Sequence, residues 1–188
     1  AVVLVGRPGK FSAGFDLKVM SAGPAAAAGI VGRGAAVLLR MYELPMPVVA
    51  ACTGHAVAGG ALMLLCTDVR IGIEGDFKLG LNEVAIGMTM PLLAQELARD
   101  RLDPRRLTEA TVQARLYTPA EAAEVGYLDR VVAPDALLSA AKETAAALAK
   151  LPKKAYGETK RRLRAKMIEE ARATLEQDLA QLTGVAPA

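Results

Sequence analysis

The chain has 188 residues, enough for one domain with a sizeable core. Hydrophobic residues make up 53% of it and aromatics only 4%, so Ala, Val, Leu and Met must build that core. The net charge of +3 lacks the regular aromatic interleaving that base stacking uses, and no apolar run reaches the roughly 20 residues of a membrane span, so the sequence predicts neither a nucleic-acid partner nor a membrane one.

The first residues, Ala1 to Val5, read as a buried strand that begins abruptly, and an N-terminal portion is expected to precede it. Gly6 to Lys10 reads as a loop, and Asp16 is placed to cap a short helix through Met20. The Ala-, Gly- and Pro-rich stretch from Ser21 to Gly29 reads as a mobile surface segment. Val31, Leu38, Leu39 and Tyr42 then give an amphipathic helix from Ile30 to Leu44, stopped by Pro45 and Pro47. Val48 to Cys52 is β-branched and small, as in a buried strand, and Leu62 to Cys66 reads as a buried helix. Strands are expected over 68–73, 77–79 and 128–132, and helices over 91–100 and 104–114. Thr118-Pro119-Ala120-Glu121 is a capping box whose helix ends at Gly126. From Asp135 the chain reads as helical, with breaks near Pro152 and around Ala165 to Met167. Apolar positions Leu137, Leu138, Leu148, Leu163, Leu175, Leu179 and Leu182 are expected to face a neighbouring subunit. The basic run from Lys153 to Lys166 reads as a solvated helix face, with recruitment of a polyanionic cofactor as the lesser reading. Strands alternating with helices, followed by a helical tail, make this an α/β protein with an α-helical extension.

The stretch Gly54-His55-Ala56-Val57-Ala58-Gly59-Gly60 sits between the central apolar runs. Its glycines let the backbone turn sharply and leave amide N–H groups uncovered. Such amides at a helix start favour negative charge, whether a phosphate or a carbonyl oxygen becoming an oxyanion. Tight packing alone explains many such turns. Other chemistries are excluded more firmly. His55 is the only histidine, which removes a histidine-rich metal centre and a Ser–His protease pair, and it reads as structural. No serine lies in G-x-S-x-G, and neither a Walker lysine nor a G-x-G-x-x-G after a strand is present. Cys52 and Cys66 lie in apolar runs and read as buried free thiols of a reducing, cytoplasmic compartment. What remains is a pair of Gly-containing turns, around Gly14 and Gly59, and one carboxylate, Glu83, in a largely apolar loop from Gly80 to Pro91.

These pieces, in order, resemble the crotonase (enoyl-CoA hydratase/isomerase) family: FSAGFDL at 11–17, PVVAACTGHAVAGGALMLLCTDVRI at 47–71, GLNEVAIGMTMP at 80–91 and TPAEAAEVGYLDRVV at 118–132. The resemblance implies a ClpP/crotonase-type ββα-superhelix core over 1–132, lacking the family's first strands and helix. It also implies a C-terminal helical trimerisation region over 133–188, with a homotrimer or hexamer as the assembly. It implies an acyl-CoA thioester as partner and no separate cofactor or metal, since coenzyme A belongs to the substrate. In the family two backbone amides hold the thioester oxygen; here they fall on Phe15 and Gly59, with Ala58 in place of the first glycine of the turn. Ala13, Gly14, Asp16, Leu17, His55, Val57, Ala58, Leu62, Gly87 and Pro91 are implied to line the substrate.

Departures from the family pattern narrow the reaction. Hydratases of the family use two glutamates; the second matches Glu83, but Leu62 stands at the first. Where dienoyl-CoA isomerases and a chlorobenzoyl-CoA dehalogenase carry an aspartate, this chain has Pro91. A single glutamate with a leucine partner looks most like the mitochondrial-type Δ3,Δ2-enoyl-CoA isomerases, in which one group moves a proton from C2 to C4. Burial should raise the pKa of such a base. A hydratase and a non-catalytic acyl-CoA-binding protein stay open as alternatives, as does a Glu83 that merely bonds to nearby loop amides.

Overall fold

The computed structural model describes residues 1–183, with side chains through residue 180. Among the described residues, seven strands form two all-parallel sheets. One sheet has the order β1 (Val2–Val5), β3 (Val48–Cys52), β5 (Val69–Ile73), β7 (Arg130–Val132). The other has the order β2 (Gly9–Ser12), β4 (Gly54–Val57), β6 (Leu79–Gly80). The first-sheet strands β1, β3 and β5 are each followed by a strand of the second sheet and then by helix, through α1 (Leu17–Met20) and α2 (Pro24–Glu43), α3 (Gly59–Leu65) and α4 (Leu92–Arg101). This ββα recurrence, which no sequence repeat announces, is the crotonase-like superhelix. Helices α5 (Leu107–Ala110) and α6 (Pro119–Val125) lead to β7, and α7 (Leu137–Leu148) and α8 (Lys153–Thr183) follow it.

The strand β3 is buried on both faces, as its run of small and β-branched residues requires. Val49 and Ala51 pack with Leu137, Ala141 and Ala145 of α7, while Ala50 and Cys52 face the larger cluster around Leu64, Leu65 and Tyr127. By contrast, β1 is an edge strand with Val2 40% and Val5 48% exposed, not the buried strand its composition suggests. Both cysteines are free and buried, and burial pushes their thiols up, to about 11 for Cys52 and about 12 for Cys66.

Several local expectations change. The segment from Ser21 to Gly29 is not a loose surface stretch: α2 starts at Pro24, which suits the first helical turn, and its alanines carry high helix propensity. By length and composition α2 could span a bilayer, so the apolar content along this stretch is greater than run-counting indicates. Its Val31, Ala35, Leu38, Leu39 and Tyr42 are instead buried in the protein core. The predicted break around Ala165 to Met167 is absent, and α8 runs unbroken for 31 residues. The helix foreseen over 104–114 is reduced to a 3-10 turn and the four residues of α5.

The tail helices also serve their own chain more than expected. Leu137 is buried on the first sheet, Leu175 packs against the main core, and Leu179 meets Gly32 of α2. Leu138 and Leu163 are exposed, at 46% and 76%, and Leu182 lies outside the residues whose side chains are described. Nor is the basic run a uniformly solvated face. Lys160 and Arg164 are buried and converge on Asp68, at 2.7 and 2.8 Å. Asp68 also accepts the Val48 N–H, Lys160 donates to the Met46 carbonyl, and Arg164 lies 4.1 Å over the Tyr42 ring. A charge network thus fastens α8 to the start of β3.

Candidate active site

The FSAGFDL segment leaves β2 at Ser12, which pairs with Ala56 of β4 beyond an irregularity in register. Gly14 then takes φ +87, a conformation that would strain a side-chain-bearing residue, and Asp16 caps α1 by accepting the Lys18 N–H at 2.8 Å. The second segment passes through β4, a strand that the reading of a single turn between Cys52 and Leu62 did not foresee. It leaves β4 at Val57, and Ala58 adopts φ 52 and ψ −123 before α3 begins at Gly59. Ala58 is held in that shape from both sides, since its N–H donates to the Gly80 carbonyl and its carbonyl accepts the Leu62 N–H.

These two turns lie backbone against backbone. A Cβ on Gly60 would stand 2.2 Å from the Ser12 carbonyl oxygen, and one on Gly59 would stand 3.2 Å from Gly14 Cα and 3.9 Å from the Phe15 nitrogen. A Cβ on Gly14 would stand 3.1 Å from the Gly59 nitrogen. The Phe15 and Gly59 amides are therefore neighbours, and among the described residues neither finds a hydrogen-bond acceptor. Two such unpaired donors side by side suit an oxygen that gains charge.

The third piece arrives through β6, whose Gly80 pairs with Val57 and so runs alongside the second turn. Leu81 is fully buried, and Glu83 follows with 7% of its surface exposed. Its Oε2 is buried without a partner, as is Oδ1 of Asn82. The Glu83 side chain caps nothing in the 3-10 turn of Val84–Ile86 that it precedes; its carbonyl instead accepts from Ile86 and Met88. Burial raises the Glu83 pKa from the ordinary 4.5, and the amides of Glu83 and Asn82 oppose the shift in part. Desolvation of this kind makes a carboxylate a stronger base than an exposed one.

Two cavities flank these groups. One of about 260 Å³ lies between α2 and α3 and is reached by Ser12, Gly14, Phe15 and Gly59, with Val37 and Met63 among its apolar walls. Another of about 610 Å³ adjoins the Glu83 turn through Val84 and Gly87 and includes Gln95, Arg99 and Thr108. The other expected substrate-lining residues, Ala13, Asp16, Leu17, His55, Val57, Ala58, Leu62 and Pro91, reach neither cavity. Leu62 is buried in the main core, and Leu17 is 74% exposed. His55 Nδ1 accepts the Lys78 N–H at 3.0 Å and its ring meets Phe77 edge-on at 5.3 Å, contacts in keeping with the structural reading. Pro91 opens α4, whose first amides are capped from afar by Asp178.

Sequence reasoning missed Asn82, Met63 and Asp178. Asn82 adjoins Glu83 and could have been noticed as a second polar group in an apolar loop. Met63 and Asp178 carry no local signal, because their roles come from helices packed side by side.

The enzyme family model described as enoyl-CoA hydratase/isomerase matches residues 1–185. The chain belongs to the enoyl-CoA hydratase/isomerase family. Human mitochondrial enoyl-CoA delta isomerase 1 is 34% identical over 160 residues, which cover 84% of this chain and 53% of that protein. A putative enoyl-CoA hydratase of Thermus thermophilus is 34% identical over 154 residues, covering 80% of this chain and 60% of that one. The chain thus spans about half to three fifths of the length of these curated relatives. Among solved structures, an enoyl-CoA hydratase/isomerase family protein from Pseudomonas syringae superposes with TM-score 0.93 at 42% identity, over 96% of this chain and 78% of that one. Human mitochondrial delta3-delta2-enoyl-CoA isomerase superposes with TM-score 0.91 at 30% identity, over 97% and 72%. The crotonase-like fold expected from four ordered motifs is the fold observed.

Proposed function

We propose that this protein moves the double bond of a 3-enoyl-CoA to position 2, with Glu83 as the only proton carrier. The observation that carries the proposal is a buried carboxyl of raised pKa, Glu83, joined by strand pairing to two neighbouring backbone amides, those of Phe15 and Gly59. The thioester oxygen accepts from the Phe15 and Gly59 N–H groups. The Glu83 carboxylate takes a proton from C2, and the electron pair of that C–H bond delocalises onto the thioester oxygen as a dienolate. The protonated Glu83 then returns the same proton at C4, leaving the C2–C3 double bond and the original carboxylate. Nothing is oxidised or reduced, and the step requires no cofactor beyond the coenzyme A that the substrate carries. Preorganised amides stabilise the developing charge without reorganising, and losing one such donor typically costs about 3 kcal/mol of barrier.

Hydration is the second reading, favoured by the unpartnered Asn82 Oδ1, which offers a water an acceptor beside Glu83. Against it, Leu62 is an apolar core residue where a second carboxylate would be needed. A non-catalytic acyl-CoA binder would have no use for a desolvated Glu83. The exposed Leu138, Leu151 and Leu163 support self-association as a homotrimer or hexamer, and the two free thiols support a cytoplasmic setting. The test is to incubate the protein separately with 3-enoyl-CoA and 2-enoyl-CoA and identify each product. Conversion of the first to 2-enoyl-CoA, with little hydration of the second, is expected. Efficient hydration without isomerisation would defeat the proposal.

A further inference from the structure

The Phe15 side chain does something that its amide does not. Its ring atoms Cε1 and Cζ lie 2.3 Å from the point where a Cβ on Gly34 would stand. The ring therefore fills the space that any larger residue at position 34 of α2 would claim. Phe15 and Gly34 both line the 260 Å³ cavity, together with Ile30, Val37, Leu38 and Met63. Ile30, Gly34, Val37 and Leu38 recur at helical spacing, so one face of α2 makes a wall and the ring is lodged against it. The cavity also reaches Gly14 and Gly59, so an acyl group whose carbonyl sits on the two amides has its chain directed among these side chains. The larger cavity presents Gln95, Arg99, Thr89, Thr108 and Thr111, which give an alkyl chain polar groups to desolvate.

With the acyl chain of the proposed substrate in the cavity between α2 and α3, we infer that the Phe15 ring lodged on Gly34 sets the chain length accepted there. The inference rests on the acyl-CoA reading above and names the specificity-determining pair for it. An alkyl chain gains free energy with each methylene removed from water, until its end meets a wall. On this inference that wall is the Phe15 ring, which occupies the space a side chain at position 34 would take. Adding a methyl there must displace the ring, and shortening residue 15 must lengthen the cavity.

The test is equilibrium binding of saturated acyl-CoAs of about four to twelve carbons by calorimetry, which needs no turnover. For the unaltered protein, affinity should rise about fourfold per methylene and then level off at a break point. Phe15→Ala should move the break point to longer chains by about two carbons, and Gly34→Ala should move it to shorter ones. Phe15→Leu, a milder change, should move it in the same direction as Phe15→Ala and covers the case in which Gly34→Ala does not fold. Val112→Ala, in the larger cavity, should leave it in place. A break point unmoved by the Phe15 variants, or moved by Val112→Ala, would overturn the inference while leaving the isomerase reading intact. Absence of any acyl-CoA binding would overturn both. Binding as inferred without double-bond migration would remove only the isomerase reading.

Discussion

Asp178, late in α8, accepts the Leu92 N–H at 2.8 Å and so caps a helix that begins 86 positions earlier. Its second oxygen takes the Leu93 N–H at 3.3 Å, and the side chain is almost wholly buried. Pro91, which precedes α4, has no side chain able to cap, so the negative group comes from across the fold. The cap fixes the far end of the loop that carries Glu83. Asp178→Ala should cost about 1–2 kcal/mol in denaturant unfolding. It should also speed amide hydrogen exchange at Leu92 and Leu93 before it affects the sheets. Unchanged exchange at those two amides would contradict the capping role.

Glu83→Gln keeps the shape of the side chain and removes its proton chemistry. Turnover of 3-enoyl-CoA should fall by about 100- to 10,000-fold while acyl-CoA binding survives. Stopped assays for product and calorimetry for binding separate the two effects. A variant with near-normal turnover would show that another group carries the proton.

The same substitution has a sign in stability. Glu83 has a folded-state pKa raised above its ordinary 4.5 by burial, so the folded protein favours the protonated form. Its contribution is fully present below the unfolded pKa and is lost as pH rises through the folded value. Glu83→Gln should therefore gain stability relative to the unaltered protein as pH climbs from about 4.5 toward neutrality. Thermal unfolding across that window checks it, and the acid limb of kcat/KM should lie above the pH of an ordinary glutamate.

Ala58 sits at φ 52 in the turn that sets the Gly59 amide. An L-residue there stores strain of about 1–3 kcal/mol, and glycine would relieve it at an entropic cost of about 0.5–1 kcal/mol. Ala58→Gly should raise stability by about 1 kcal/mol on that difference. Ala58→Val, which adds β-branching at positive φ, should lower stability and activity together. Chemical denaturation of the two variants reads both signs.

Asp68 holds Lys160 and Arg164, each buried, at the junction of α8 with β3. Asp68→Ala leaves two cations without their carboxylate and should cost about 3–5 kcal/mol. The loss should exceed that of any exposed pair, such as Lys166 with Glu170, where about 0.3–0.5 kcal/mol is expected. Double-mutant cycles between Asp68 and Arg164 would measure the coupling directly.

Much of the site was legible because its parts are short backbone motifs. Asp16 caps α1, Thr118 and Glu121 form the capping box, and Gly126 ends α6 in the left-handed conformation, all as local chemistry dictates. The spacing of Val48 to Cys52 marked the central strand for the same reason. The start of α2 was read too late because alanine and glycine together suggest looseness, whereas Pro24 and a packed helix face override that composition. The strand β4 was missed because four residues rich in small side chains carry almost no periodic signal.

The sequence by itself carried the family resemblance: glycine-bearing turns that bare amides, one acid in an apolar loop, and a lone histidine with no serine in a nucleophile-elbow pattern. Those features are local, since they depend on which residue types stand next to one another. The tertiary structure alone decided that the Phe15 and Gly59 amides are neighbours, that the Phe15 ring occupies the notch at Gly34, and that Lys160 and Arg164 are buried on Asp68 rather than solvated. These are contacts between segments distant in the chain, and their free energies come from close packing and desolvation that no one-dimensional pattern records.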